Sequence, residues 1–139
     1  MSRYVVDASV LIKTIVEETG TVEAVTLLRE HAIVAPDLVF PECANVLWKK
    51  VRRAEFTREE AEVASQILQR IDMELVPSRA LINAVVDLSL QLDHPAYDCT
   101  YLALARAEGS PLVTADQRLV KKLANAGDEF SGLAVALVR

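Results

Sequence analysis

Short apolar runs punctuate the chain, and the stretches between them repeat their apolar residues every three or four positions. The runs are residues 4–7, Ile33-Val34-Ala35, Met73 to Val76, Pro111 to Thr114 and Leu133 to Val138, and each reads as a strand. Residues 9–17 predict a first helix, closed by Gly20. Thr21 to His31 predicts a second, with Val22, Val25 and Leu28 on one stripe. Pro36 stops the second strand, and Asp37 can cap a helix reaching about Ala54. Pro41 is tolerable there because it falls in the opening turn, where N–H groups lack partners. Thr57-Arg58-Glu59-Glu60 is a capping box opening a helix to about Ile71. Ser78 caps a helix to about Leu92, after Pro77 closes the third strand. Pro95 opens a helix reaching Glu108, stopped by Gly109. Asp116 starts a final helix, ended by Gly127.

Strands alternating with helices predict an α/β fold, a three-layer α/β/α sandwich around a parallel sheet. The 139 residues suit a single domain, 1–139, with no repeat, linker or low-complexity tract. Composition adds two points. At 52% apolar residues and a mean hydropathy of +0.23 the chain is slightly greasy for a monomer, which suggests a partner surface. The net charge of -5 argues against binding nucleic acid by bulk charge, so any such contact needs a local basic patch. Asp7 and Lys13 interrupt the first apolar segment, which is therefore no signal peptide. No run approaches the roughly 18 apolar residues of a membrane span, and the expected location is cytoplasmic.

Several chemistries are excluded. The four glycines, Gly20, Gly109, Gly127 and Gly132, form neither G-x-G-x-x-G nor a P-loop. No serine or cysteine has a histidine at motif spacing. Cys43 and Cys99 read as small buried hydrophobes, and with His31 and His94 they lack any zinc-ligand spacing. His31 and His94 themselves read as surface or capping residues.

The acids are different. Asp7 follows the first strand and Asp116 the fourth, while Glu42 and Asp98 lie in the opening turns of helices. Taken singly, each suits a helix start. Taken together they change meaning. Strands one and four can be central neighbours in a doubly wound sheet, which brings Asp7 and Asp116 to one crevice at the strands' carboxyl ends. Gathered carboxylates repel one another, and a hard divalent ion, Mg²⁺ or Mn²⁺, removes that penalty while binding substrate phosphate. The reaction such a site suits is phosphodiester hydrolysis by metal-activated water. Asn45, Lys49 and Arg53 fall on the Glu42 face of their helix and could guide a phosphate backbone, though a solvated basic face is the alternative. Ser9 and Thr114 place hydroxyls beside Asp7 and Asp116, as supporting bonds or as caps. Tyr97, Tyr101 and Trp48 read as core or partner-facing residues.

Four segments carry a family resemblance: Val5-Val6-Asp7-Ala8-Ser9, Pro41-Glu42-x-x-Asn45-x-Leu47, Tyr97-Asp98-x-x-Tyr101-x-Ala103-Leu104-Ala105 and Leu112-Val113-Thr114-Ala115-Asp116. In this order and over nearly the whole chain, they resemble the PIN-domain family, especially its toxin branch, the VapC ribonucleases of toxin–antitoxin pairs. The resemblance implies a five-stranded parallel sheet, Mg²⁺- or Mn²⁺-dependent endoribonuclease activity on RNA, a homodimer, and inhibition by a cognate antitoxin. It implies Asp7 and Asp98 as principal metal ligands, Glu42 as a further ligand or water-orienting group, and Asp116 as a ligand often acting through water.

A different class of function would be a binding module, a PIN fold acting mainly through its antitoxin complex on operator DNA. A phosphatase of the haloacid-dehalogenase kind needs a second aspartate two residues after the first, where this chain has Ser9.

Overall fold

The computed structural model describes residues 3–137. Five strands form one sheet: β1 (Arg3–Val6), β2 (Ala32–Pro36), β3 (Glu74–Val76), β4 (Leu112–Thr114) and β5 (Ala134–Ala136). Their order is β3-β2-β1-β4-β5, and every pairing is parallel. The chain winds outward from β1 through β2 to β3, then returns to the other side of β1 as β4. The switch point therefore lies between β1 and β4, where open α/β sheets bind ligands.

Among the described residues seven helices surround the sheet: α1 (Ala8–Lys13), α2 (Thr21–Glu30), α3 (Val39–Arg52), α4 (Arg58–Leu68), α5 (Ile82–Leu92), α6 (Ala96–Glu108) and α7 (Gln117–Ala124). The strands alternate their side chains between two cores, as a pleated strand must. Val5, Val34 and Leu112 enter the larger core, with α3, α5, α6 and α7. Val6, Ile33 and Val113 enter a smaller one, covered by Ala24, Leu27 and Leu28 of α2. Seven consecutive residues of α6, Cys99 to Ala105, are buried, so this helix is central rather than amphipathic.

The three-layer architecture matches the sequence reading, and the Thr57–Glu60 capping box forms as expected. Several local expectations are corrected. Helix α1 stops at Lys13, short of residue 17. The Thr14 hydroxyl donates back to the Leu11 carbonyl at 2.7 Å, and Lys13 Nζ donates to the Thr19 carbonyl at 2.8 Å, closing a loop instead. On α2 the inward face is Ala24, Leu27 and Leu28, and Val22 projects to solvent at 75% exposure. Helices α4 and α7 stop short of Ile71 and Gly127. Asp37 does not cap α3, and Ser78 does not cap α5. Instead the Asp37 carboxylate accepts hydrogen bonds from Ser78 N at 3.0 Å and Ser78 Oγ at 2.5 Å, and α5 is entered through a 3-10 turn, Ser78–Leu81. Strand β5 is shorter than the run to Val138, a residue outside those described.

Candidate active site

The carboxyl ends of β1 and β4 are stitched together around Asp7. Val6 pairs with Val113, so one residue further on Asp7 meets Thr114. Thr114 Oγ1 donates to Asp7 Oδ2 at 2.6 Å, and Ser9 Oγ donates to Asp7 Oδ1 at 2.5 Å. Each hydroxyl also accepts from the loop after β4: Ser9 Oγ from Ala115 N at 3.0 Å, and Thr114 Oγ1 from Asp116 N at 3.1 Å. Asp7 also caps α1, accepting from Val10 N at 3.3 Å. Burial pushes its carboxyl above the ordinary range, against the lowering effect of these hydrogen bonds, and the negative charge of Asp98 adds to the rise.

A second group of acids stands on helices. Glu42 is in the first turn of α3 and Asp98 in the first turn of α6. The Tyr101 hydroxyl, three residues beyond Asp98, donates to Glu42 Oε1 at 2.5 Å. Burial raises the Glu42 carboxyl, and the charges of Asp98 and Asp7 raise it further, while the Tyr101 bond lowers it. Burial and the Glu42 carboxylate together push the Tyr101 phenol far upward, so it stays protonated and donating. Asp98 Oδ2 lies 2.7 Å from His94 Nε2.

Asp116 caps α7, its Oδ1 accepting from Arg118 N at 3.0 Å and Leu119 N at 3.2 Å. Asp7, Glu42, Asp98 and Asp116 all line one cleft of about 520 Å³, together with Ser9, Asn45, Tyr97 and Tyr101. The four acids expected to converge therefore share the lining of one cleft, contributed by two strand ends and two helix starts. Thr114 is fully buried and does not line the cleft itself, but its hydroxyl holds Asp7 and accepts from Asp116 N. Lys49 is exposed on α3 and does not line the cleft, so it can meet only a substrate long enough to extend past the rim. Tyr101 and His94 were not identified as site residues from sequence. The available signal was spacing: Tyr101 lies three residues beyond Asp98 on α6, and His94 four residues before it, just ahead of the helix.

The donor set is entirely oxygen, which suits a hard divalent ion. Among the described residues no three His, Cys, Asp or Glu side chains form a group that could hold a metal by itself. A Mg²⁺-like ion needs no such cage, because it takes one or two carboxylates and keeps several waters. Desolvated carboxylates that raise one another are the groups a dication would relieve, so the residues present fit the ion. Zinc chemistry does not fit. Cys43 is a free, buried cysteine behind Glu42, and burial pushes its thiol up to about 12.

Fold and site together define an acid-lined α/β nuclease-like crevice. The PIN domain family model matches residues 4–125, and the chain belongs to that family. The VapC3 ribonuclease of Pyrobaculum aerophilum is 32% identical over 123 residues, covering 86% of this chain and 94% of that protein. A VapC ribonuclease of Mycobacterium bovis is 30% identical over 115 residues, covering 83% of this chain and 87% of that protein. Among solved structures, a Pyrobaculum aerophilum protein matches with a TM-score of 0.70 at 22% identity, over 98% of this chain and 84% of that one. VapBC2 from Rickettsia felis, bound to a DNA fragment from its promoter, matches with a TM-score of 0.64 at 16% identity, over 86% of this chain and 92% of that one. These two structural likenesses are of fold. Among the described residues, no helix is long and apolar enough to cross a membrane.

Proposed function

We propose that this chain is a divalent-metal-dependent endoribonuclease, the toxin of a toxin–antitoxin pair, acting in the cytoplasm. The observation that carries the reading is the convergence of Asp7, Glu42, Asp98 and Asp116 on one cleft at the switch point of a PIN fold. VapC relatives with ribonuclease names, aligned over most of both chains, support the substrate class. Asp7 and Asp98 would hold Mg²⁺ or Mn²⁺, with Glu42 and Asp116 completing its surroundings directly or through water. Bound there, the ion supplies charge neutralisation at a phosphoryl group and activation of water for in-line attack. The protein's own part is orientation. Ser9 and Thr114 fix both Asp7 oxygens, and Tyr101 fixes one oxygen of Glu42, leaving the other for water or ion. Asn45 presents an amide at the cleft, within reach of a phosphodiester, while Lys49 on α3 and Arg53 at its C-terminal cap lie farther out as contacts to neighbouring phosphates.

Two surfaces support the proposed partners. Ile82, Val86 and Leu90 form an exposed apolar stripe on α5, at 56%, 51% and 78% exposure, suited to a homodimer contact. Ile15, Phe56, Val63 and Ile67 line a second cleft between the loop after α1 and α4, suited to a cognate antitoxin. Cleavage of total RNA with and without Mn²⁺ tests the enzyme reading. RNA cut by wild type and left intact by Asp7→Asn supports it, and equal cutting by both ends it. The Rickettsia felis complex on promoter DNA favours one further reading, a binding module acting with its antitoxin on operator DNA. Growth arrest that survives Asp7→Asn, with antitoxin binding intact, would favour that module.

A further inference from the structure

His94 belongs to none of the sequence segments that carry the acids, yet it is held from four directions. It follows Asp93, which ends α5 in the left-handed region at φ +49°. His94 N donates to the Ser89 carbonyl at 3.2 Å, and the Cys99 thiol donates to the His94 carbonyl at 3.7 Å. Its ring bridges two helices. Nε2 lies 2.7 Å from Asp98 Oδ2 on α6, and Nδ1 lies 3.0 Å from Lys122 Nζ on α7. Lys122 is itself placed by donating to the Asp93 carbonyl at 3.2 Å.

This arrangement decides the tautomer. A lysine ammonium has three donors and no acceptor, so the nitrogen facing it must be the one that accepts. With Nδ1 accepting, the neutral imidazole carries its proton on Nε2, and that N–H donates to Asp98 Oδ2. Hydrogen bonds thus run one way, from the Lys122 ammonium through the His94 ring to the accepting Asp98 carboxylate. We infer that His94, its tautomer set by Lys122, is a positioning residue that holds Asp98 Oδ2 and presents the rest of the carboxylate to a divalent cation. Asp98 needs such a hold. Its side chain is 42% exposed at the start of α6, whereas Asp7 is fixed by two hydroxyls and a backbone N–H. A carboxylate free to rotate loses rotamer freedom on binding an ion, and a fixed one does not. The inference rests on the proposed role of Asp98 as an ion ligand.

Two measurements on the full chain test it. Long-range ¹H–¹⁵N spectra of the metal-free protein read the His94 tautomer directly. The expected result is the Nε2–H form in wild type, lost or mixed in Lys122→Met. Calorimetric titration with Mn²⁺ reads the consequence. His94→Ala and Lys122→Met should weaken binding by about 10- to 100-fold, the usual cost of losing a partner that orients a ligand. His94→Gln can still donate from near the Nε2 position and should keep most of the affinity. Lys122 is exposed, so its variant serves if His94→Ala fails to fold. A wild-type Nδ1–H tautomer overturns the inference. So does wild-type Mn²⁺ affinity in His94→Ala or Lys122→Met while Asp98→Asn has lost binding. If Asp98→Asn itself binds Mn²⁺ like wild type, it is the ligand reading of Asp98 that fails, and the role of His94 falls with it.

Discussion

The two halves of the acid cleft are built in different ways. Asp7 sits where two central strands end, and the groups that hold it lie close by in the chain or on the paired strand: Ser9 in the first turn of α1 and Thr114 at the end of β4. Glu42 and Asp98 sit on helix starts, and the groups that hold them come from across the fold or from a neighbouring loop: Tyr101 and His94. The first half is rigid because sheet pairing makes it so. The second is only as rigid as the packing of α3, α6 and α7. Changes in the strand half should therefore cost stability and activity together, and changes in the helix half should cost activity alone.

The largest expected effect is Asp7→Asn. Removing a proposed principal ligand should lower RNA cleavage by more than about 100-fold, beyond the range for partners that merely orient a ligand. Multiple-turnover assays in Mn²⁺ check it, and cleavage within tenfold of wild type would contradict it. Thr114→Val comes next. It removes the fully buried Thr114 hydroxyl, which donates to Asp7 and accepts from Asp116 N. A buried carboxylate oxygen deprived of its donor costs about 1–3 kcal/mol, so the urea midpoint should fall with activity. Loss of activity with an unchanged midpoint would break the distinction between the halves.

The same contrast explains what was legible in the sequence. Strand ends are local features: a β-rich run, an aspartate and a small hydroxyl residue lie within a few positions, so Asp7, Ser9, Thr114 and Asp116 could be read directly. The α/β alternation was equally visible, because period-2 and period-3.6 patterns are local too. The pairing of Tyr101 with Glu42 spans 59 positions and depends on how two helices cross. Tyr101 is also 1% exposed, so its ring reads as core and only its hydroxyl is functional. Asp37 and Ser78 were misread for a related reason. Each has the composition of a cap, but 41 positions apart in sequence they bond to each other, and no local pattern carries that.

Tyr101→Phe tests the helix half at lower amplitude. The ring and its packing remain, so thermal unfolding should stay close to that of wild type. Glu42 loses its donor, and cleavage should drop by roughly tenfold, the low end for an orienting partner. A large fall in stability would mean that the hydroxyl serves the core rather than the site. Lys49→Ala is milder again. Because Lys49 lies outside the cleft, KM should rise with kcat unchanged, and the salt dependence of RNA binding should shrink by a slope of about 0.7. A fall in kcat would place Lys49 at the reacting phosphate instead.

The smallest effect lies at Asp37, which does not line the cleft, and it sets the baseline for the comparison. Asp37 N donates to the Val76 carbonyl at 3.0 Å, and its carboxylate binds Ser78, so it fastens the ends of β2 and β3. The Ser78 hydroxyl, then the Ser78 N–H, hold the Asp37 carboxyl below the ordinary carboxylate range. A depressed folded value means that the ionised form is favoured by folding. Its contribution is present above the unfolded value and disappears as pH falls through the lowered folded one. Side-chain carboxyl ¹³C titration should place the Asp37 midpoint below that of a free aspartate, and Ser78→Ala should raise it part of the way. Because the pair is exposed, the variant should barely change stability at neutral pH. A marked loss there would mean that the ends of β2 and β3 also depend on side-chain bonds for their rigidity, and the strand half would then be ordinary rather than special.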